Sequence, residues 1–411
     1  MSQAAKKLSD IHSVQDVGTS TNLSVLPGGE NKKNSKKSTD IRYLIRALTK
    51  YGASDLHLKV GRPPLYRING RLVQAKMDAM TSEGMEKVVS DILTSRQIQD
   101  LENHYQVDAS FRVGKLGRFR CNAFFQRGSL SVIIRMIPIR IPKIEDLGIP
   151  VVLKELVQRP RGLILITGPT GSGKSTTLAS LIQHINETRH VHVITIEDPI
   201  EFVFRDQKSS VTQREVGSDA KSFEDSLYAG LRQDPDVIMI GELRDPQVIQ
   251  TALTAAETGH LVLTTLHTND AATSLDRIID VFPGHAKDHV RIQLASSLVA
   301  VVSQHLLNKE DGSGRVPACE VMINSPAIEN YIRKGEFERI PEAIANSNDY
   351  YHMQTLNQDL KRLIASGQIS LDEGLKVTPN PDDLRLALSG VDHKEGYEIV
   401  SEENPRKTRF S

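Results

Sequence analysis

Gly168-Pro169-Thr170-Gly171-Ser172-Gly173-Lys174-Ser175 carries the spacing G-x-x-x-x-G-K-S. Glycines at these positions let a chain curl until successive backbone N–H groups converge on one point, which makes a cradle for an anion. The context is the one such a loop needs. An apolar run at 163–167 (LILIT) precedes it and a helical pattern over 175–186 follows it, so the loop opens a helix whose N-terminus adds its dipole. In a P-loop of this kind Lys174 reaches the β- and γ-phosphates and the Ser175 hydroxyl ligates Mg²⁺. ATP and Mg²⁺ are therefore the expected ligands. Residues 168–175, with Thr176 in the first helical turn, are the expected binding set.

Hydrolysis also needs a carboxylate that can polarise a water near the γ-phosphate. Val237-Ile238-Met239-Ile240-Gly241-Glu242 is an apolar run ending in one. Gly241 stands where many P-loop proteins have a metal-side Asp, which leaves Glu242 as the candidate for the water. A second apolar run, ITIEDPIE at 194–201, closes on Glu197, Asp198 and Glu201, of which Glu197 is the candidate. His260 and His267 flank a third run, LVLTTL. Seven extended residues separate their Cα atoms by about 23 Å, so the two cannot share one metal ion. His267 leaves the run at the end where the P-loop, Glu197 and Glu242 emerge, and it joins the candidate site.

The elements that hold these groups follow from periodicity. From residue 151 onward, apolar runs of four to six residues alternate with amphipathic helical stretches, the pattern of strands buried on both faces of a parallel sheet. The apolar stretch 294–307 (LASSLVAVVSQHLL) reads as a buried helix, and the chain beyond 326 also reads as helical. Upstream the texture differs. Asp40 stands as N-cap to a helix with Ile41, Leu44, Ile45 and Leu48 on one face. Short alternating segments follow, with Asn69-Gly70 as a hairpin turn. The fold class expected is α/β: a P-loop ATPase domain at 151–388 and a smaller α+β domain at 39–140. Pro142 and Pro150 mark 141–150 as a linker. The polar ends at 1–38 and 389–411 read as flexible tails.

Composition removes several classes of function. The 411 residues hold 51 basic and 51 acidic side chains, a net charge of zero, which speaks against a surface built for nucleic acid. Cys121 and Cys319 are the two cysteines, too few for a disulfide framework or a four-cysteine zinc site, and they suit a reducing compartment. No run reaches the roughly 18 apolar residues of a membrane span, and no charged-then-apolar signal pattern opens the sequence. A cytoplasmic protein is the expectation.

Four segments then fall into order: GPTGSGKSTTLASLI, ITIEDPIEF, LRQDPDVIMIGELRD and TALTAAETGHLVLTTLHTNDAATSLDRIIDVFP. They resemble the Walker A, Asp box, Walker B and His box of the secretion ATPase superfamily of P-loop NTPases, and within it the type IV pilus retraction ATPases, over about residues 40–385. The resemblance implies a RecA-like ATPase domain, a PAS-like N-terminal domain and a homohexameric ring. The ring would be peripheral to the inner membrane, at the base of the pilus machine, with an inner-membrane platform protein as partner. Hydrolysis would drive pilin removal and twitching motility. Assembly and secretion ATPases of the superfamily usually insert a tetracysteine zinc module, which two cysteines cannot build. A RecA-like nucleic-acid motor is the remaining alternative. Because ring ATPases often complete their sites with a neighbour's arginines, Arg118, Arg120 and Arg135, in and beyond the family's GRFR and QRG stretch, are further candidates. Residues 327–335 (AIENYIRKG) are similar to the AIRNLIRE segment associated with retraction, departing at Glu329, Tyr331 and Lys334.

Overall fold

Asp40 opens the first element as expected: its carboxylate accepts a hydrogen bond from the Arg42 backbone N–H at 2.9 Å and caps the helix Ile41–Lys50. Ile41, Leu44, Ile45 and Leu48 recur at helical spacing, and all four are buried. Replacing one such fully buried Leu by Ala costs about 2–5 kcal/mol. The structure, a computed structural model, describes residues 40–389 except 69, 115 and 139. Apart from Ser389, the tails expected at 1–38 and 389–411 lie outside the described residues.

The described chain divides into two units, one of residues 40–141 with 199–204, the other of 142–198 with 205–389. In the first, β1 (Asp55–Lys59), β2 (Leu65–Ile68), β3 (Arg71–Gln74), β4 (Gln106–Val113), β5 (Gly117–Gln126) and β6 (Ser129–Met136) form one sheet in the order β3-β2-β1-β6-β5-β4. Every neighbouring pair is antiparallel. Ile68 pairs directly with Arg71, and Gly70 takes φ +78°. Helices Ser82–Ile92 and Ser95–His104 separate β3 from β4. Along β5, Phe119, Cys121 and Ala123 are fully buried. Arg118 and Arg120, one residue out of phase, take the opposite face.

In the second unit, β7 (Gly162–Thr167), β8 (His192–Glu197), β9 (Ser210–Glu215), β10 (Val237–Ile240), β11 (Leu261–Leu266), β12 (Leu298–Asn308) and β13 (Arg315–Ile323) lie in the order β13-β12-β7-β11-β10-β8-β9. All neighbours from β12 to β9 are parallel, and β13 alone runs antiparallel, against β12. Every residue of β7, β10 and β11 is buried, which is why these strands read as unbroken apolar runs instead of alternating ones. Helix Lys174–Thr188 connects β7 to β8, Phe223–Gly230 β9 to β10, Pro246–Glu257 β10 to β11, and Ala271–Asp280 with Gly284–Ser297 β11 to β12. Parallel pairing brings Thr167, Glu197, Ile240 and Leu266, the last residues of four strands, to one edge of the sheet. Such an edge is where open α/β sheets bind ligands.

One expectation is corrected here. Residues 294–307 are not one helix: the helix ends at Ser297, and Leu298–Asn308 is the strand β12. A short apolar run cannot be assigned by periodicity alone, and the β-branched Val299, Val301 and Val302 suit the pleated sheet. The stretch 141–150, read as a linker, carries local structure of its own. It contains the helical turn Ile144–Leu147, with Ile144 buried, and the Pro142 carbonyl accepts from Ser180 Oγ at 2.7 Å. Beyond 326 the chain is helical as expected; Leu356, Leu360, Leu363, Ile369 and Leu384 pack with Leu307, Val316 and Ala318 of the β12–β13 hairpin.

Candidate active site

The glycine-rich loop leaves β7 with Gly168 at φ +139° and continues through Gly171 at +83° and Gly173 at +93°. A Cβ on Gly168 would lie 2.3 Å from the Gln304 carbonyl oxygen and 2.7 Å from Ser172 Oγ, so no other residue fits there. Helix Lys174–Thr188 starts from Gly173 with no side-chain cap. A helix start of this kind, entered through glycines, is where anions bind. Pro169, Thr170 and Gly171 are exposed, while Ser175 and Thr176 are half-buried on the first turn. Ser172 Oγ is buried with no hydrogen-bond partner among the described residues. Lys174 is only 7% exposed. Its Nζ donates to the carbonyls of Gly168 at 2.8 Å and Pro169 at 3.0 Å, and lies 3.5 Å from His267 Nδ1.

Glu242, two residues beyond the end of β10, meets two groups. Arg244 Nη2 lies 2.7 Å from Oε1 and His267 Nε2 lies 3.5 Å from Oε2. The His267 ring therefore stands between the Lys174 ammonium and the Glu242 carboxylate, both contacts at the outer limit of hydrogen bonding. Nδ1 faces the lysine and Nε2 the carboxylate. Lys174, His267, Glu242 and Arg244 form a continuous polar chain across the ends of β7, β11 and β10. Glu197 is buried at the end of β8, where it accepts from Thr195 Oγ1 at 2.8 Å and Gln213 Nε2 at 3.1 Å. Gly241 N donates to Ile196 O at 2.8 Å, which ties the two acidic strand ends together. Asp198 is exposed, and Glu201 falls in the 199–204 segment of the other unit. Of the three carboxylates in ITIEDPIE, one is buried at this edge.

The candidate arginines lie in the six-stranded sheet and have partners there. Arg118 Nη2 donates to Ser110 Oγ at 2.6 Å, Arg120 lies 3.5 Å from Asp108, and Arg135 Nε donates to Asp55 at 2.7 Å. Arg120 and Arg135 face each other across β5 and β6. Asp55 is buried; burial alone would raise its carboxyl, but the bonds from Arg135 and Ser54 outweigh that and hold it below its usual range. His260 bonds the Ala255 carbonyl through Nδ1 at 2.9 Å, a structural role. Helix Pro326–Lys334 buries Ile328 and Ile332 and leaves Asn330 and Arg333 exposed, Arg333 paired with Glu329 at 2.7 Å.

Two contributors escape sequence reasoning. Arg244 had a signal, its place two residues after Glu242 in the quoted motif. Gln304 had none: it reaches the loop from 132 residues away, donating through Nε2 to Ser172 O at 2.8 Å and accepting from Thr177 Oγ1 at 3.0 Å.

Residues 30–386 match the model of the type II/IV secretion system protein family. The chain belongs to this family. It is 44% identical over 344 residues to the type IV pilus retraction ATPase PilT of Pseudomonas aeruginosa, a match covering 84% of this chain and 99% of that one. It is 42% identical over 321 residues to a twitching motility protein of Neisseria gonorrhoeae, covering 78% and 86%. The type IV pilus ATPase PilU of Pseudomonas aeruginosa is 37% identical over 377 residues, covering 89% and 98%. Among solved structures, the pilus retraction motor PilT with bound ADP superposes with a TM-score of 0.79 at 46% identity, covering 84% of this chain and 98% of that one.

Proposed function

We propose that this family member is an ATP-hydrolysing motor for type IV pilus retraction, working as a homohexamer. The observation that carries the reading is the match to the Pseudomonas aeruginosa retraction ATPase, 44% identical and spanning 99% of it. The assembly of the P-loop, Glu197, Glu242 and His267 at one sheet edge of this chain supports it.

The residues fit a nucleotide. A helix start, three glycines at positive φ and a buried lysine supply backbone donors and a cation for phosphates. Lys174 would hold the β- and γ-phosphates, where anionic oxygens replace loop carbonyls as its partners. Mg²⁺ would be held by Ser175 Oγ together with phosphate oxygens and would neutralise charge there. Glu242 would orient and polarise the attacking water, with Arg244 fixing one carboxylate oxygen. His267, already spanning Lys174 and Glu242, would report the γ-phosphate to the acid. Glu197, locked by Thr195 and Gln213, would shape the acidic side of the pocket. Arg118, Arg120 and Arg135 would act on a neighbouring subunit's phosphate.

In this reading the seven-stranded unit is RecA-like, the six-stranded unit is PAS-like, and the domains run from 39 to 140 and 151 to 388. The ring sits on the cytoplasmic side of the inner membrane, against a platform protein of the pilus machine. Deleting the gene and scoring surface pili and twitching tests the reading. Heavily piliated, non-twitching cells are expected. Bald cells would indicate an assembly ATPase instead.

A further inference from the structure

A phosphate-binding loop faces a mechanical problem. Most of its N–H groups must converge on a ligand, so few can hold the loop's own shape; here Ser172 N–H bonds the Pro169 carbonyl at 3.2 Å. The shape has to be imposed from behind. In this chain the imposing residue is Gln304, on β12, the strand beside β7. Gln304 is 2% exposed, and both ends of its amide are engaged with the loop and its helix. Nε2 donates to the carbonyl of Ser172, inside the loop, at 2.8 Å, and Oε1 accepts from Thr177 Oγ1, on the helix that follows, at 3.0 Å. One planar group therefore spans the bend between loop and helix. The loop is moulded against the same residue. A Cβ on Gly168 would meet the Gln304 carbonyl oxygen at 2.3 Å, and a Cβ on Gly173 would meet Nε2 at 3.1 Å. Both glycines that bracket the loop thus lie directly against Gln304. The neighbouring Ser303 strengthens the seam, since Thr167, the last residue of β7, donates to its Oγ at 2.9 Å.

We infer that Gln304 is a positioning residue for nucleotide: its buried amide holds the Ser172–Thr177 bend in the curvature that phosphates require. The inference rests on the nucleotide-binding reading of the loop. Of the groups holding the loop, Lys174 gains a new partner when phosphate binds, whereas Gln304 touches only the outside of the curve. Neither bond reaches toward the phosphates, so removing them weakens binding of any nucleoside diphosphate and not the water-activating step.

The test is ADP affinity of the full-length protein by titration calorimetry, for wild type, Gln304→Leu, Thr177→Val and the double variant. Gln304→Leu keeps the bulk on β12 and leaves the Ser172 carbonyl buried without its donor, a loss worth about tenfold in affinity, or about 1.4 kcal/mol. Thr177→Val removes only the bond that orients the amide, and about threefold is expected. Because both act through one group, the double variant should be no weaker than about tenfold, a non-additivity that mere loosening of the core would not give. The KM for ATP of the folded Gln304→Leu protein should rise by about the same tenfold. Unchanged ADP affinity in folded Gln304→Leu overturns the inference while leaving the nucleotide site intact. Failure of wild type to bind ADP overturns both. Should Gln304→Leu not fold, unchanged affinity in Thr177→Val is the overturning result and a threefold loss the supporting one.

Discussion

Replacing Glu320 by Gln should make the protein more stable at pH 8 and leave it unchanged near pH 4.5. Glu320 lies on β13 opposite Ser303. Its Oε1 accepts from the backbone N–H of Ala271 at 2.8 Å, at the start of the helix that follows His267. Burial pushes this carboxyl upward, the Ala271 N–H partly offsets that, the Asp270 charge adds to it and the Ser303 hydroxyl opposes it; the result lies at about 7 against an ordinary 4.5. The native state therefore binds the proton more tightly than the unfolded chain does. Stability from this group is fully present below about pH 4.5 and is lost as pH rises through about 7. Each pH unit in that window is worth about 1.4 kcal/mol. The upper bound is about 3 kcal/mol, lowered by whatever solvent still screens the partly exposed residue. Glutamine cannot ionise but keeps an oxygen for Ala271 N. Urea unfolding of both proteins at intervals between pH 5 and 8 reads the difference directly. The wild type should lose ground to the variant steadily across that window. Parallel profiles would refute the placement of a neutral carboxyl at this position.

Three other outcomes are expected. Lys174→Ala should weaken ATP and ADP binding by about 10- to 100-fold in an equilibrium titration, because a buried cation leaves the phosphates. Arg120→Ala should lower turnover by about 1000-fold with nucleotide affinity kept, the scale of an arginine supplied in trans; Arg120 is the cleanest of the three to test because Arg135 also satisfies the buried Asp55, and unchanged turnover would acquit it. Asn330→Ala with Arg333→Ala removes exposed groups and one surface ion pair worth under about 1 kcal/mol, so ATPase activity and hexamers should persist while retraction is lost; retained retraction would show that this helix does not transmit motion.

Much of the site was legible because its chemistry is local. A loop, a strand end and a histidine each announce themselves within eight or so residues, and parallel pairing then puts strand ends on one edge without further information. The helix at 41–50 was legible because four apolar residues and one capping aspartate all agree. What escaped was long-range. Nothing near Gln304 says that its amide will meet Ser172, because that contact exists only after β12 settles beside β7. The same strand was misread as helix since its apolar residues run without a period, being covered on both faces. Of the acidic trio at 197–201, Glu197 is buried at the end of β8, Asp198 beside it is exposed, and Glu201 belongs to the other unit, differences that sequence proximity does not show.

Complementation of a deletion strain with the Glu242→Gln protein joins the chemistry to the work. Glutamine preserves the size of the side chain and the phosphate-binding loop, so the variant should bind Mg-ATP normally and hydrolyse it at least about 100-fold more slowly, the scale of lost general-base help. Cells carrying it should be as heavily piliated and as immobile as the deletion strain, while the wild-type gene restores twitching. Near-normal ATP turnover by the variant, or restored twitching in cells that make it, would contradict a retraction motor fired by Glu242.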